Sequence, residues 1–316
     1  MINQFTFQVN ISPGDIMYAN ITVRELAKQH LSIPNRLLIV DCCKPQKTKI
    51  INPSQRFPEP EFSFKIEAIC ILANQLLKEN LFTKVYFLKP GDELFKKISK
   101  KYLNNIIKDT HGAGGTAQMA YWAGIELAST RYVIHYDGDM ILHQETGFSW
   151  WEEATSKMNS EDNVIMAIPR NSPPTELTLN LPTYFEGTEI IQKDDYWLHN
   201  WFSTRIFVID KLRLQKYLPL VTGKLYLQLL LRKILFRAFP LDPEIILFRK
   251  LGLAKSQRRL ILKSTKAWTL HPLTKPLEYI NFLPQIYSKI NNNIVPKNQL
   301  GKEDIELKEW INFLND

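Results

Sequence analysis

The chain opens on strict alternation. Residues 4–11, QFTFQVNI, step between apolar and polar with period two and predict a strand. Ser12-Pro13-Gly14-Asp15 is a turn able to cap a helix, and residues 16–30 predict one that ends near His30. Arg36 to Cys43 (RLLIVDCC) drops the alternation for a continuous apolar run, the pattern of a strand covered on both faces of a parallel sheet. Residues 44–62 hold four prolines and predict a loop. From Phe64 to Asn80, Ile66, Ile69, Leu72, Ala73 and Leu76 recur at helical spacing. KVYFL (84–88) predicts a third strand, and Pro90-Gly91-Asp92 turns the chain into a helix over 93–102. A glycine-rich turn, His111 to Thr116, opens a helix over 117–128, and RYVIHY (131–136) predicts a fourth strand ending in Asp137-Gly138-Asp139. Strand–helix alternation of this kind predicts an α/β fold with a mostly parallel, helix-covered sheet.

The pattern loosens afterwards. Short strands are expected at 163–168 and 204–209, a proline-containing loop at 169–182, and broken helix over 211–239. Asp242-Pro243-Glu244 starts a helix with proline at an early position, where its missing N–H costs nothing, and Gly252 ends it. A strand and loop lead to Trp268-Thr-Leu-His271-Pro272. Leu307, Trp310, Ile311 and Leu314 sit at helical spacing in a tail expected to pack on the body. An aromatic cluster follows, Tyr184, Phe185, Tyr196, Trp197, Trp201 and Phe202, and Asp194 and Asp195 beside Tyr196 and Trp197 suit the lining of a ligand pocket or an ordinary anchored loop.

Charge changes this picture in one place. The 316 residues carry a net charge of +8. Residues 205–266 hold 15 basic and 3 acidic side chains, a local +12, whereas residues 151–204 hold 3 and 9, a local −6. An anionic partner is therefore sought at that window: phosphates of a ligand, nucleic acid, or an acidic membrane surface. The 223–239 stretch mixes leucines with Lys224, Arg232, Lys233 and Arg237 and suits a helix lying on anionic lipid, or a buried helix with a basic outer face. No helix-turn-helix, zinc-ligand or RNP-like pattern supports nucleic acid. Twelve glycines and three cysteines exclude collagen-like and disulfide-scaffold classes. Cys42, Cys43 and Cys70 form no C-x-x-C pair and are expected as reduced thiols of a cytoplasmic protein. Neither a secretory leader pattern nor a membrane-spanning run is seen, so attachment to the inner face of a membrane would be peripheral.

The candidate chemistry lies at the fourth strand's end. An apolar strand that finishes in two carboxylates places them at the carboxyl edge of the sheet, where ligands of open α/β sheets bind. Gly138 lets the chain turn and a ligand approach. Two hard oxygen ligands suit Mg²⁺ or Mn²⁺, although D-G-D alone is also the sequence of a solvated turn.

The segment GAGGTAQMAYWAGIELASTRYVIHYDGDMIL, Gly112 to Leu142, resembles the GT-A fold glycosyltransferases, especially the inverting glycosyltransferase family two. The resemblance implies one GT-A-like, Rossmann-like domain over 1–275. Residues 1–142 would be the nucleotide-binding half and 143–275 the irregular acceptor-side half, followed by a helical tail over 276–316. It implies a metal-dependent hexosyltransferase that takes a nucleotide-sugar, a UDP-sugar first, and passes the sugar to a saccharide or lipid-linked acceptor with inversion, in cell-surface or exopolysaccharide synthesis. Asp137 and Asp139 would hold Mn²⁺ or Mg²⁺ with His271. Asp139 would be the direct ligand and Asp137 the nearer to the ribose or a metal-bound water. Asp41 would face the nucleobase and ribose, although Cys42 and Cys43 stand where the family usually has a second acid and a small polar residue. Gly114 and Gly115 would bring backbone amides to the phosphates. Asp242 or Glu244 would be the general base, since the usual E-D pair is absent and either acid could serve. A basic membrane- or nucleic-acid-binding protein without catalysis is the competing expectation.

Overall fold

The computed structural model describes residues 2–175, 186–235, 237 and 239–315; Tyr184 and Phe185 of the aromatic cluster lie outside the described residues. Eleven strands are present among them: β1 (Phe5–Ile11), β2 (Asn35–Asp41), β3 (Lys84–Leu88), β4 (Tyr132–Asp137), β5 (Ile141–Gln144), β6 (Val164–Ile168), β7 (Ile190–Gln192), β8 (Tyr196–His199), β9 (Ile206–Asp210), β10 (Arg258–Leu262) and β11 (Ala267–Leu270). Nine form one sheet in the order β3-β2-β1-β4-β9-β6-β10-β8-β7, and β11 pairs with β5 in a small second sheet.

The expected mostly parallel sheet is present. β3, β2, β1 and β4 are mutually parallel, β10 is parallel to β6, and only β9 and β8 run against the rest. The continuous apolar run of β2 is buried from Arg36 to Asp41, as a strand with helices on both faces requires. Alternation such as that of β1 ordinarily leaves one face wet. Here all seven residues are buried, because helix Gln118–Leu127 packs over the polar face and the place of a Cβ at Gly124 is taken by Gln8. The polar face of β1 is therefore an internal one.

The proline-rich loop after β2 contains a short helix, Pro53–Arg56, with Asn52 accepting from the Ser54 N–H. The next helix begins at Glu61 rather than Phe64. The broken 211–239 helix resolves into Lys211–Gln215 and Gly223–Ile234. Pro243–Leu247 is α-helical and continues as a π-helical turn, Phe248–Gly252. There the backbone comes so close to Asn200 that a Cβ at Gly252 would sit 2.1 Å from its carbonyl oxygen.

The tail forms helices Leu277–Asn291 and Leu307–Asn315. They bury Tyr279, Leu283, Ile286, Tyr287, Ile290 and Trp310 with Tyr18, Ile141, Trp268 and Leu270 in a second core beside the main one. Tyr18 belongs to helix Ile16–Gln29, so this core ties the tail to the chain's beginning and to the small sheet.

Candidate active site

β1 and β4 are neighbours although 120 residues of chain separate them, and Asn10 stands opposite Asp137 in register. Leaving this point, the chain order reverses across the sheet, β2 and β3 to one side and β9 and β6 to the other. This is the switch point at which open α/β sheets bind ligands. An open cleft of about 420 Å³ lies at the carboxyl ends of these strands. Its lining holds four carboxylates, Asp15, Asp41, Asp137 and Asp139, against two cations, Arg56 and Lys275.

Residues two apart share a face of a strand, and that spacing builds a buried polar chain here. The Gln8 amide bonds both Asn10 and the Nδ1 of His135, and His135 Nε2 lies 3.3 Å from Asp137 Oδ1. The Tyr121 hydroxyl reaches both Asp137 oxygens at 2.8 and 2.9 Å. Asp137 is thus pinned. Burial, and then the charge of Asp139, pushes its carboxyl up to about 8. Burial pushes the His135 ring down to about 3, so it is neutral and serves as a core hydrogen-bonding residue, the role its place in a buried strand predicts.

Asp139 points the other way. Its Oδ1 is buried without a hydrogen-bond partner, while Oδ2 takes the Lys275 ammonium at 2.6 Å and lies 3.7 Å from His271 Nε2. His271 Nδ1 is held 2.9 Å from Asp304 Oδ1, and Arg205 lies 3.8 Å from both Glu303 and Asp304. The tail therefore orients the imidazole at the site. Gly138 between the two acids is obligatory: a Cβ there would stand 2.9 Å from the Asn10 carbonyl oxygen and 2.7 Å from Ile11.

Asp41 ends β2, 2% exposed, with the Cys43 N–H on Oδ1 and nothing on Oδ2, and burial pushes its carboxyl up to about 7. His111 Nε2 stands 3.7 Å away, its pKa lowered to about 4 by burial. Gly114 and Gly115 line the same cleft. Gly115 has φ +90°, and a Cβ there would run into Ile51.

Asp242 and Glu244 flank the cleft without lining it. Asp242 stands at the N-cap position of its helix without a side-chain bond to it and presses on the glycine-rich turn, where a Cβ at Gly112 would meet its buried, unpartnered Oδ1 at 2.1 Å. Burial raises its carboxyl while the Thr116 hydroxyl donates to it and opposes the shift. Glu244 lies under the chain before β9 and accepts from the Thr204 N–H at 2.8 Å and its hydroxyl at 3.3 Å. Burial raises it too, and it is close enough to feel the charges of Arg205 and Asp137.

The structure thus brings Asp41, Gly114, Gly115, Asp137 and Asp139 to one cleft with His271 at its side. It leaves Asp194 and Asp195 on the β7–β8 hairpin at the far edge of the sheet, where Asp195 pairs with Lys157. Among the described residues no three His, Cys, Asp or Glu side chains surround one point. The residues nevertheless fit a divalent ion held at few protein atoms: Asp139 offers a buried, unsatisfied oxygen, and carboxylates outnumber cations in the lining. Mg²⁺ in particular is usually bound by one or two carboxylates, with substrate phosphates and water completing the shell.

Sequence reasoning missed Lys275, Arg56, Asp15 and Tyr121. Lys275 had a signal, a lone cation four residues beyond His271. Asp15 was visible only as a turn residue. It does form a capping box with Ser12, and also accepts from the Tyr18 hydroxyl; burial first, and the charge of Asp139 further on, raise it to about 6. Tyr121 and Arg56 had none, because their roles depend on which strand end they reach.

No family model matches the chain, and no curated protein sequence matches it. Among solved structures it is similar to the galactosyltransferase LgtC in complex with donor and acceptor sugar analogues, at 8% identity and TM-score 0.40, covering 93% of this chain and 98% of that one. It is similar to the inositol-1-phosphate CTP transferase from T. maritima, at 10% identity and TM-score 0.42, covering 93% and 99%. The mannosyltransferase Ktr4p from S. cerevisiae in complex with GDP matches at 12% identity and TM-score 0.36, covering 81% of this chain and 68% of that one. Similarity this remote decides nothing about activity, so function has to come from the cleft's own residues.

Proposed function

We propose that the protein is a glycosyltransferase that moves a sugar from a nucleotide-sugar donor to a hydroxyl acceptor. The observation that carries this is the carboxylate pair at the open end of β4. Asp137 is pinned by Tyr121 and His135, and Asp139 is turned into the cleft with one buried oxygen unsatisfied. Asp139, with His271 beside it and Asp137 behind, would hold Mg²⁺ or Mn²⁺, and the imidazole nitrogen favours Mn²⁺. When bound, such an ion supplies counter-charge to a departing diphosphate.

The chain's own residues do the remaining work. Lys275 and Arg56 both line the cleft and suit the two phosphates, with Gly114 and Gly115 leaving room for close backbone approach. Asn10 Nδ2 and Asp41 Oδ2 are buried at adjacent strand ends without hydrogen-bond partners, a donor and an acceptor for the nucleoside. In the transfer, the acceptor oxygen bonds the anomeric carbon as the bond from that carbon to the phosphate oxygen breaks. The electron pair leaves with the nucleoside diphosphate, and the acceptor proton passes to a carboxylate base, for which the resemblance offers Asp242 and Glu244, at the flank of the cleft rather than in its lining. Both are raised by burial, which brings a carboxylate nearer the range useful to a general base, and Glu244 is the one that feels Asp137. The resemblance around D-G-D adds inversion, a UDP-sugar and a saccharide or lipid-linked acceptor to this reading.

The test is turnover of a panel of nucleotide sugars with Mn²⁺ or Mg²⁺, read as released nucleoside diphosphate, together with nucleotide binding. Metal-dependent binding lost in Asp139→Asn supports the assignment. A wild-type protein that binds no nucleotide with either metal overturns it.

A further inference from the structure

Helix Gly223–Ile234 is apolar on two opposite sides. Leu225 and Leu229 are buried against the body. Leu227, Leu231, Ile234 and the next residue, Leu235, lie on the outward side and are each 53–60% exposed. Their spacing, i, i+4, i+7 and i+8, gathers them into one stripe. A solvated helix has no use for such a stripe, and contiguous exposed apolar surface of this kind marks a contact site. Leu253 extends it, 47% exposed across an open groove shared with Leu231 and Leu235.

The border of the stripe is basic. Lys224, Arg232, Arg237 and Arg249 line the same groove, and burial followed by the charge of Arg232 lowers the pKa of Arg249. Lys233 lies on the helix's other flank and helps form a pocket with Lys47, Lys49 and Lys108. In the whole 205–266 window the only acids are Asp210, Asp242 and Glu244. Asp210 is occupied by Arg131 and Arg213, and the other two are engaged at the candidate site. In the Lys233 pocket the lining acid is Asp109, set against four lysines, so the border there keeps a positive excess.

We propose that this face docks on an anionic lipid bilayer, with Leu227, Leu231, Ile234 and Leu235 in the headgroup–acyl boundary and the surrounding lysines and arginines on lipid phosphates. An apolar stripe rimmed by cations is the form of an interfacial helix. Nucleic acid would use the cations and leave four leucine-type side chains in water. Among the described residues no helix is long and apolar enough to cross a membrane, so the face lies on the surface of the bilayer. The docking also has a direction. Lys233 and Phe239 share their pocket with Ala113 of the glycine-rich turn, so the bilayer would lie beside the wall of the donor cleft.

Vesicles of phosphatidylcholine alone and of phosphatidylcholine with phosphatidylglycerol, co-sedimented with the full chain and no donor present, test this apart from any catalytic role. Binding is expected to the anionic vesicles only, weakened by salt. In Leu227→Ser/Leu231→Ser, binding is expected to fall by about tenfold or more, from the apolar area no longer buried. Both sites are exposed, and an unchanged melting transition checks the fold. Lys224→Glu/Lys233→Glu is expected to abolish the preference for anionic lipid. Absence of vesicle binding at low salt overturns the proposal. So does binding that ignores the leucine substitutions, or a salt-steep affinity for an oligonucleotide exceeding that for vesicles.

Discussion

The carboxyl ends of β1, β2 and β4 differ from the opposite ends of β2 and β9 in how their buried polar groups are bonded. At the edge where β1, β2 and β4 end, Asn10, Asp41 and Asp139 each keep a buried polar atom without a partner. At the other edge, where β2 begins and β9 ends, similar groups are saturated. Arg36 donates to the carbonyls of Leu81, Ile33 and Asn80. Asp210 takes the Arg131 guanidinium and the N–H groups of Leu212 and Arg213. A folded protein keeps an unsatisfied buried group only at a cost of about 1–3 kcal/mol each. Unpartnered atoms occur elsewhere too, Gln257 Oε1 and Arg258 Nη1 at the start of β10 among them, but those of Asn10, Asp41 and Asp139 belong to residues that line one open cleft, where a ligand can complete the bonding. Arg36 and Asp210, fully engaged, hold the fold instead.

Substitution should separate the two. Asp139→Asn is expected to lower donor turnover by roughly 10²–10³-fold, the scale for losing one preorganised electrostatic contact, while the melting temperature holds or rises. Asp210→Ala should do the reverse: it removes a buried carboxylate that pairs with Arg131 and accepts from the N–H groups of Leu212 and Arg213 at a helix start, costing about 1–3 kcal/mol in denaturant unfolding. Turnover per folded molecule should stay near wild type. Equal losses of stability in both variants would break the contrast between the edges. Gly138→Ala lies between them, since its Cβ would strike the Asn10 carbonyl and Ile11. It is expected to cost about 1–3 kcal/mol and to reduce nucleotide affinity together.

A pH-dependent effect concerns His30, which is fully buried in the core. Its ring stacks on Phe7 at 4.2 Å, bonds the Leu26 carbonyl at 2.7 Å and meets the Tyr136 hydroxyl at 3.2 Å. Burial pushes its pKa from 6.5 down to about 3. As pH falls below 6.5 the unfolded chain takes up a proton that the folded chain refuses, so stability declines toward pH 3; above 6.5 this site contributes no slope. Urea midpoints measured across that window should fall with pH and fall less steeply in His30→Phe. An unchanged slope in the variant would remove His30 from the account.

Much of this was legible along the chain. KVYFL at 84–88 is β3 to the residue, and the apolar run after Arg36 is a strand covered on both faces. Asp137 and Asp139 stand at a strand end because an apolar run that stops in acids has reached the sheet's edge. The second half was harder for a physical reason. β7, β8 and β10 are short, and their places depend on pairing with strands distant in sequence, which local periodicity does not report. The 267–270 segment becomes β11 only because β5 is there to receive it.

By itself the sequence determined the alternation of strands and helices, the carboxylates at the end of β4, and the concentration of positive charge in 205–266. All three rest on side-chain period and composition, which are local. Only the tertiary structure decided that Lys275 and His271 from the far end of the chain meet Asp139, and that Asp304 of the tail orients the imidazole. It likewise decided that Tyr121 pins Asp137 and that four apolar side chains of helix Gly223–Ile234 and its cap face outward. Such contacts, whether they join neighbouring elements as Tyr121 and Asp137 do or residues more than a hundred positions apart as Lys275 and Asp139 are, are set by how helices and tail pack on the completed sheet, and nothing in the local pattern of either partner encodes the other.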